Sequence, residues 1–200
     1  MPPSLNAVKT GLTGRTVLLP GDDAQAYEAH VNEFMKRFAP ATDEERHLVQ
    51  SLADTQWRLL RIPGLEMGIY AIGRLECAEL FPEHDEAVRK QLIETKVFLT
   101  YQRQLNNLSI QENRLRRQRE KDTAALRALQ EKRQAETQER LDKLANEYID
   151  AVYDDRQDEF IASSNGFEFS LGQIEVRAMQ LDPRLFADRG ADGRLLPSAA

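Results

Sequence analysis

The chain has 200 residues, of which 41% are hydrophobic, 30% charged and only 7% aromatic, and its formal net charge is -6. That balance excludes a uniformly basic nucleic-acid coat and suits a helical protein with a wide wetted surface better than a compact enzyme. The single cysteine, Cys77, excludes an internal disulfide, no apolar run is long enough to span a membrane, and MPPSLNAVKTGLTG is too polar for a secretory leader, so a cytoplasmic protein is expected.

Residues 1–22 read as a flexible arm punctuated by Gly11, Gly14, Pro20 and Gly21, in which Lys9 and Arg15 are the charges ahead of Asp22. GLTGRT does not make a phosphate loop, because Lys9 stands where the first glycine belongs and Arg15 where the lysine belongs. LPGDD delivers Asp22 or Asp23 as an N-cap, with no third ligand nearby to make the pair a metal site. Tyr27, Val31, Phe34 and Phe38 then recur at helical spacing, and Pro40 ends that helix. Thr42 and Glu45 form a capping box for a second helix whose face is Leu48, Val49, Leu52, Gln56, Leu59 and Leu60, with Trp57 as a core anchor alongside. At Pro63 and Gly64 this helix either kinks or gives way to a third, carrying Leu65, Ile69, Ile72 and Leu75. Gly68 and Gly73 within it are expected to allow close packing, and Cys77 to be structural.

From Glu83 to Asn165 there is neither proline nor glycine, and the composition favours one very long helix opened by Asp85. Its first part, Val88, Leu92, Val97, Phe98, Leu99, Tyr101, Leu105 and Leu108, is expected to complete a four-helix core. Beyond Leu108 the stripe runs through Leu115, Arg119, Asp122, Leu126, Leu129, Arg133, Thr137, Leu141, Leu144, Tyr148 and Val152. Charges there weaken any coiled-coil seam, so a solvated or weakly paired arm is expected, with a break at Asn106–Ser109 as the alternative to continuity. Phe167, Phe169, Ile174 and Met179, on a short segment capped by Ser170, are expected to fold onto a neighbour. The fold expected is thus all-α: a flexible arm (1–22), a small helical core (23–108), a long, largely solvated helix able to form a coiled coil (109–155), a short packing segment (156–182) and a disordered tail (183–200).

NAVKTGLTGRTVLLPGDDAQAYEAH and FAPATDEERHLVQSLADTQWRLLR, together the first third of the chain, resemble a numerous group of uncharacterised bacterial helical proteins. In these an Asn-Ala-x-Lys-His-Gly arm runs into a Leu-Pro-Gly-acid turn and a helix; Thr10 here replaces the usual histidine. Through Asn6, Ala7, Lys9 and Gly11 the arm is also similar to that of proteins resembling phage terminase small subunits, a likeness that implies helical DNA-binding oligomers.

No catalytic, cofactor or metal site is expected. His30, His47 and His84 lie in different elements, a His30–Glu33 pair alone is not half a metal site, and no metalloprotease, thiol-pair or serine-elbow motif occurs. Two functions are left open. One is a non-enzymatic scaffold or interaction protein assembling through its long helix, as a homo-oligomer or with a partner helix, with Leu141, Leu144, Tyr148 and Val152 as the contact patch; the competing cover for that patch is the chain's own 160–179 segment. The other is a nucleic-acid-associated protein contacting phosphates through Lys9, Arg15, Arg114, Arg116, Arg117, Arg119 and Lys121, although Glu112, Glu120 and Asp122 interleave with the cluster.

Overall fold

A computed structural model describes residues 17–19, 21–163 and 168–186. Among these the chain is all-α: α1 (Ala24–Phe38), α2 (Asp43–Glu76), α3 (Glu86–Tyr153), α4 (Gln157–Ser163), α5 (Leu171–Leu181) and a final 3-10 turn (Pro183–Phe186). It divides into two compact units, Met1–Leu129 and Gln130–Ala200.

The first unit is built on an antiparallel pair, α2 with the first part of α3. Asp23 caps α1, its Oδ1 accepting from the backbone N–H of Gln25 at 2.9 Å and of Ala26 at 3.1 Å. The end of α1 is set by Ala39 in the left-handed region (φ 42°), one residue before Pro40. Thr42 Oγ1 accepts from Glu45 N–H at 3.1 Å, while the Glu45 carboxylate reaches past the cap to Ala41 N–H at 2.7 Å, a variant of the expected box that leaves Glu45 buried. Asp85 opens α3 in the same way, over Ala87 and Val88.

Two expectations for this unit need correction. The core has three helices where four were expected, because α2 runs unbroken through Pro63. The proline itself is exposed, and its missing N–H removes one backbone hydrogen bond, that to the Leu59 carbonyl, without ending the helix. The core also does not end at residue 108. The pairing of α3 with α2 continues as Leu115 packs on Ile62 and Leu59, and Leu126 on Val49 and Leu52, with Phe34, Met35 and Phe38 of α1 closing that end. Between these apolar layers the charged seam positions are met by polar groups of α2: Arg119 donates to Gln56 Oε1 at 2.8 Å, and buried Asp122 accepts from Ser51 Oγ at 2.7 Å and from Gln118 Nε2 at 2.7 Å. What reads as a defective coiled-coil seam is thus a polar layer within the chain's own core. The helix is continuous past Asn106–Ser109, and most of its positions remain exposed.

Of the two glycines expected to pack closely, only Gly73 does. A methyl group there would stand 2.4 Å from Val97 Cγ1, whereas Gly64 and Gly68 have nothing within 4 Å. Cys77 is buried beside this contact, and α2 stops at Glu76. The connection is tied by Arg89, whose guanidinium donates to the carbonyls of Ala78 and Leu80.

In the second unit Ala145, Tyr148 and Val152 on α3 form a cluster with Ile174 and Ala178 of α5 and with Leu185; Leu141, Leu144, Phe160 and Phe169 pack around it. Ser170 caps α5 in a full capping box with Gln173. Tyr148 is fully buried, and its hydroxyl accepts from Gln157 Nε2 at 2.8 Å and donates to Glu175 Oε1 at 3.1 Å. Two parts of the expected picture change here. Met179 stays on the surface, and the tail expected to be disordered from Pro183 instead begins with a turn that buries Leu185. Phe167 and residues 187–200 lie outside the described residues. The fold-back is fastened by Arg177, whose guanidinium grips Asp142 with two bonds of 2.7 and 3.0 Å, and by Arg140 on Glu168. The Arg177 bond, helped by Gln138, holds the Asp142 carboxyl below the usual aspartate range, and the Tyr153 hydroxyl does the same for Asp182.

Two predictions follow from this packing. Gly73→Ala should destabilise by about 1–3 kcal/mol through overpacking against Val97, whereas Gly64→Ala and Gly68→Ala, in open space, should stabilise by up to about 1 kcal/mol through helix propensity; urea melts of the three variants measure this. For Asp142, a depressed carboxyl contributes stability that is present above its unfolded value of 3.8 and is lost as pH falls through the lower folded value. Asp142→Asn should therefore melt below wild type at neutral pH, and the gap should close as both are acidified below about pH 3.8.

Candidate functional site

The patch expected to carry oligomer contacts is covered by the chain itself. Tyr148 and Val152 are buried under α4, α5 and Leu185, and Leu141 and Leu144 are half-buried against the same segment, so the fold-back is the cover and these four side chains do not form an open face.

The basic residues are sorted by the packing. Lys9 and Arg15 lie outside the described residues. Arg116 is held on Glu112 by bonds of 3.0 and 2.5 Å, and Arg119 is turned inward onto Gln56. Arg114, Arg117 and Lys121 are exposed at successive steps of three and four, which puts them on one side of α3 and not wrapped around it. Lys96 and Arg103, also exposed, extend the same side towards the start of the helix, and no Asp or Glu shares it between Lys96 and Lys121. The acids of this stretch, Glu112 and Glu120, fall on other sides. The sequence signal for this stripe lies in the spacing of five cations over 26 positions, which a search for a dense cluster passes over.

A second surface was missed in the sequence because Leu60, Ile72 and Leu75 were assigned to packed helix faces and Met67 was passed over. Leu60, Gly64, Met67, Ala71 and Leu75 follow one another at steps of four, three, four and four along α2, and they face away from α3. Leu60 is 59% exposed, Met67 72%, Ile72 53% and Leu75 79%, and the two open glycines, Gly64 and Gly68, lie among them. The cations flanking this face are already neutralised: Arg61 by Asp22, in a contact that also takes in the Val17 carbonyl, and Arg74 by Glu94 at 2.5 Å. The face is therefore apolar and uncharged over about four helical turns, and it follows directly on the groove where α1 lies. In that groove Tyr27 donates to Asp54 at 2.7 Å with Gln50 bonded to both, and the His30 ring stands 3.1 Å from the Ala53 carbonyl oxygen and packs beside Trp57. Burial, followed by the Asp54 bond, pushes the Tyr27 phenol up to about 12, so this joint stays intact through mild alkali.

The groove at the α2–α3 turn, of about 570 Å³, is lined by Arg74, Arg89, Lys90, Glu86 and Glu94, charges of both signs with no nucleophile between them. No group of three or more His, Cys, Asp or Glu is placed to hold a metal ion, and no helix is long and apolar enough to cross a membrane, in each case among the described residues. No protein-family model matches the chain, and neither the curated proteins nor the solved structures contain a match to it.

Proposed function

We propose that this chain is a non-enzymatic interaction protein, a helical scaffold that assembles by offering the outer face of α2 from Leu60 to Leu75 to a partner helix. The observation that carries this reading is the continuous exposure of Leu60, Met67, Ile72 and Leu75 around the open backbone of Gly64 and Gly68. Exposed apolar side chains scattered singly are ordinary, but a contiguous uncharged row on one helix face is the form that helix-in-groove recognition takes. Covering each of the four would recover on the order of 1–2 kcal/mol. A photo-crosslinking residue introduced at Met67 of the full chain in cells should give discrete protein adducts, and these should vanish when Leu60→Glu and Leu75→Glu are added. The same residue at exposed Gln102 serves as the reference; no adduct at Met67 above that reference overturns the reading.

A second reading, nucleic-acid association, is favoured by the row of Lys96, Arg103, Arg114, Arg117 and Lys121 on one side of α3, and the similarity of the N-terminal arm to terminase-like proteins points the same way. An acid-free row of cations in a chain of net charge -6 suits the phosphate backbone, whose binding releases counterions and weakens steeply with salt. On this reading duplex DNA binding has a log–log salt slope that falls by about 2.7 when Arg114, Arg117 and Lys121 become Gln, while Arg116→Gln with Arg119→Gln leaves it nearly unchanged. Absence of binding at about 50 mM salt ends it.

A further inference from the structure

α1 lies on the side of α2 formed by Gln50, Ala53, Asp54 and Trp57, running antiparallel to it: Tyr27, near its start, meets Asp54 and Trp57, while Phe34 and Phe38, near its end, pack by Val49. It begins at Ala24, just after the point where Asp22 is held by Arg61. The same side of α2 continues beyond Arg61 as Leu60, Gly64, Met67, Ala71 and Leu75, uncovered up to the end of the helix at Glu76. This leaves an open slot along α2, bounded at one end by the first turn of α1 and at the other by the α2–α3 connection.

We propose that the occupant of this slot is α2 of a second copy of the chain, laid antiparallel about a twofold axis between Met67 and Gly68. This rests on the reading of the face as an interaction surface and names its partner. Three observations favour the second copy. The first is self-complementarity. The antiparallel register sets Leu60 against the second copy's Leu75, Gly64 against its Ala71 and Met67 against its Gly68, so that small residues meet at close approach and the long methionine side chain enters the notch left by a glycine. The second is charge. With Arg61 and Arg74 neutralised within their own chain, the face calls for an uncharged apolar helix, and the face itself is one. The third is area. Four large side chains at half exposure or more, with the glycine backbone between them, offer on the order of 500 Å² per copy, and the pair buries about 1,000 Å², the lower bound of a specific interface. The direction of pairing is set by α1. In a parallel pair the two α1 helices, each beside the same face at the same end, would crowd one another, whereas the antiparallel pair carries each α1 past the other copy's α2–α3 connection.

Sedimentation of the full chain should show a reversible dimer at tens of micromolar, a range matched to an interface of about 1,000 Å². Leu75→Glu, at an exposed position, should leave helical circular dichroism and melting temperature unchanged and weaken dimerisation at least tenfold. In a Cys77→Ser background, mixed Leu60→Cys and Leu75→Cys chains should form a disulfide between copies under mild oxidation. Each variant alone should not, because the twofold separates identical positions by roughly 20 Å. Disulfides within the single-variant samples would mean parallel pairing and overturn the geometry. A monomer at about 100 µM overturns the second copy as occupant, well above the range a modest interface requires. If Met67 still crosslinks in that case, the adduct is a different protein and the interaction reading survives; if it does not, both fail.

Discussion

The close approach of α2 and α3 at Gly73 fixes the rest of the first unit. With no side chain at 73, the two methyls of Val97 lie against the backbone of α2, and a helix pair held that close at one end has its register determined along its length. Every later facing pair follows from that point: Ile62 with Leu115, Gln56 with Arg119, Ser51 with Asp122, Leu52 with Leu126. A shift by one residue would carry Asp122 away from Ser51 and turn Arg119 away from Gln56, leaving a carboxylate in the core with Gln118 of its own helix but without its donor from α2. Such polar layers contribute little net stability beside an apolar one, but they penalise wrong alignments strongly.

This fixes what the outer surfaces can be. Once α2 has used one side for α3 and the N-terminal part of another for α1, the remaining stretch of that second side is determined in position and composition, and so is the side of α3 that bears the lysine and arginine row. The two surfaces differ in kind. The α2 face is apolar, uncharged and rigid, since it lies on a helix anchored along its other side; the α3 row is a line of long, solvated side chains. The first suits a partner of matching shape and the second a partner of matching charge.

Local features were legible in the sequence because they depend on neighbours in the chain. Thr42 with Glu45, Asp85 and Ser170 could be read as caps since donor and acceptor lie within a few residues, although the Gln173 half of the last box was not. The absence of breakers between Pro82 and Gly166 gave α3, and helical spacing gave its stripe, correct in register from Leu115 to Val152. What could not be read was which partner each polar stripe residue meets. Asp122 looks like a flaw until Ser51, far away in sequence, is beside it. Gly68 and Gly73 are equivalent as letters, and only the position of Val97 separates a contact from open space. Leu60, Met67 and Leu75 are hydrophobic residues at helical spacing, a pattern that ordinarily marks a core, and their exposure follows from α1 ending its cover at Arg61. Pro63 misled because a proline marks a frequent helix end and not an obligatory one: here the helix carries it at an exposed position.

The burial of Leu185 has a consequence for the order in which the polypeptide acquires its structure. The apolar side of α3 around Tyr148 is synthesised well before α5 and the closing turn that cover it, and during that interval on the ribosome it is a naked hydrophobic surface on an otherwise finished helix. The first unit passes through a similar stage earlier, since Val49 and Leu52 wait for Leu126, and it is complete once Leu129 has emerged. The nascent chain thus passes through a stage in which one half is folded and the other half is adhesive, and the arrival of Leu185 ends it.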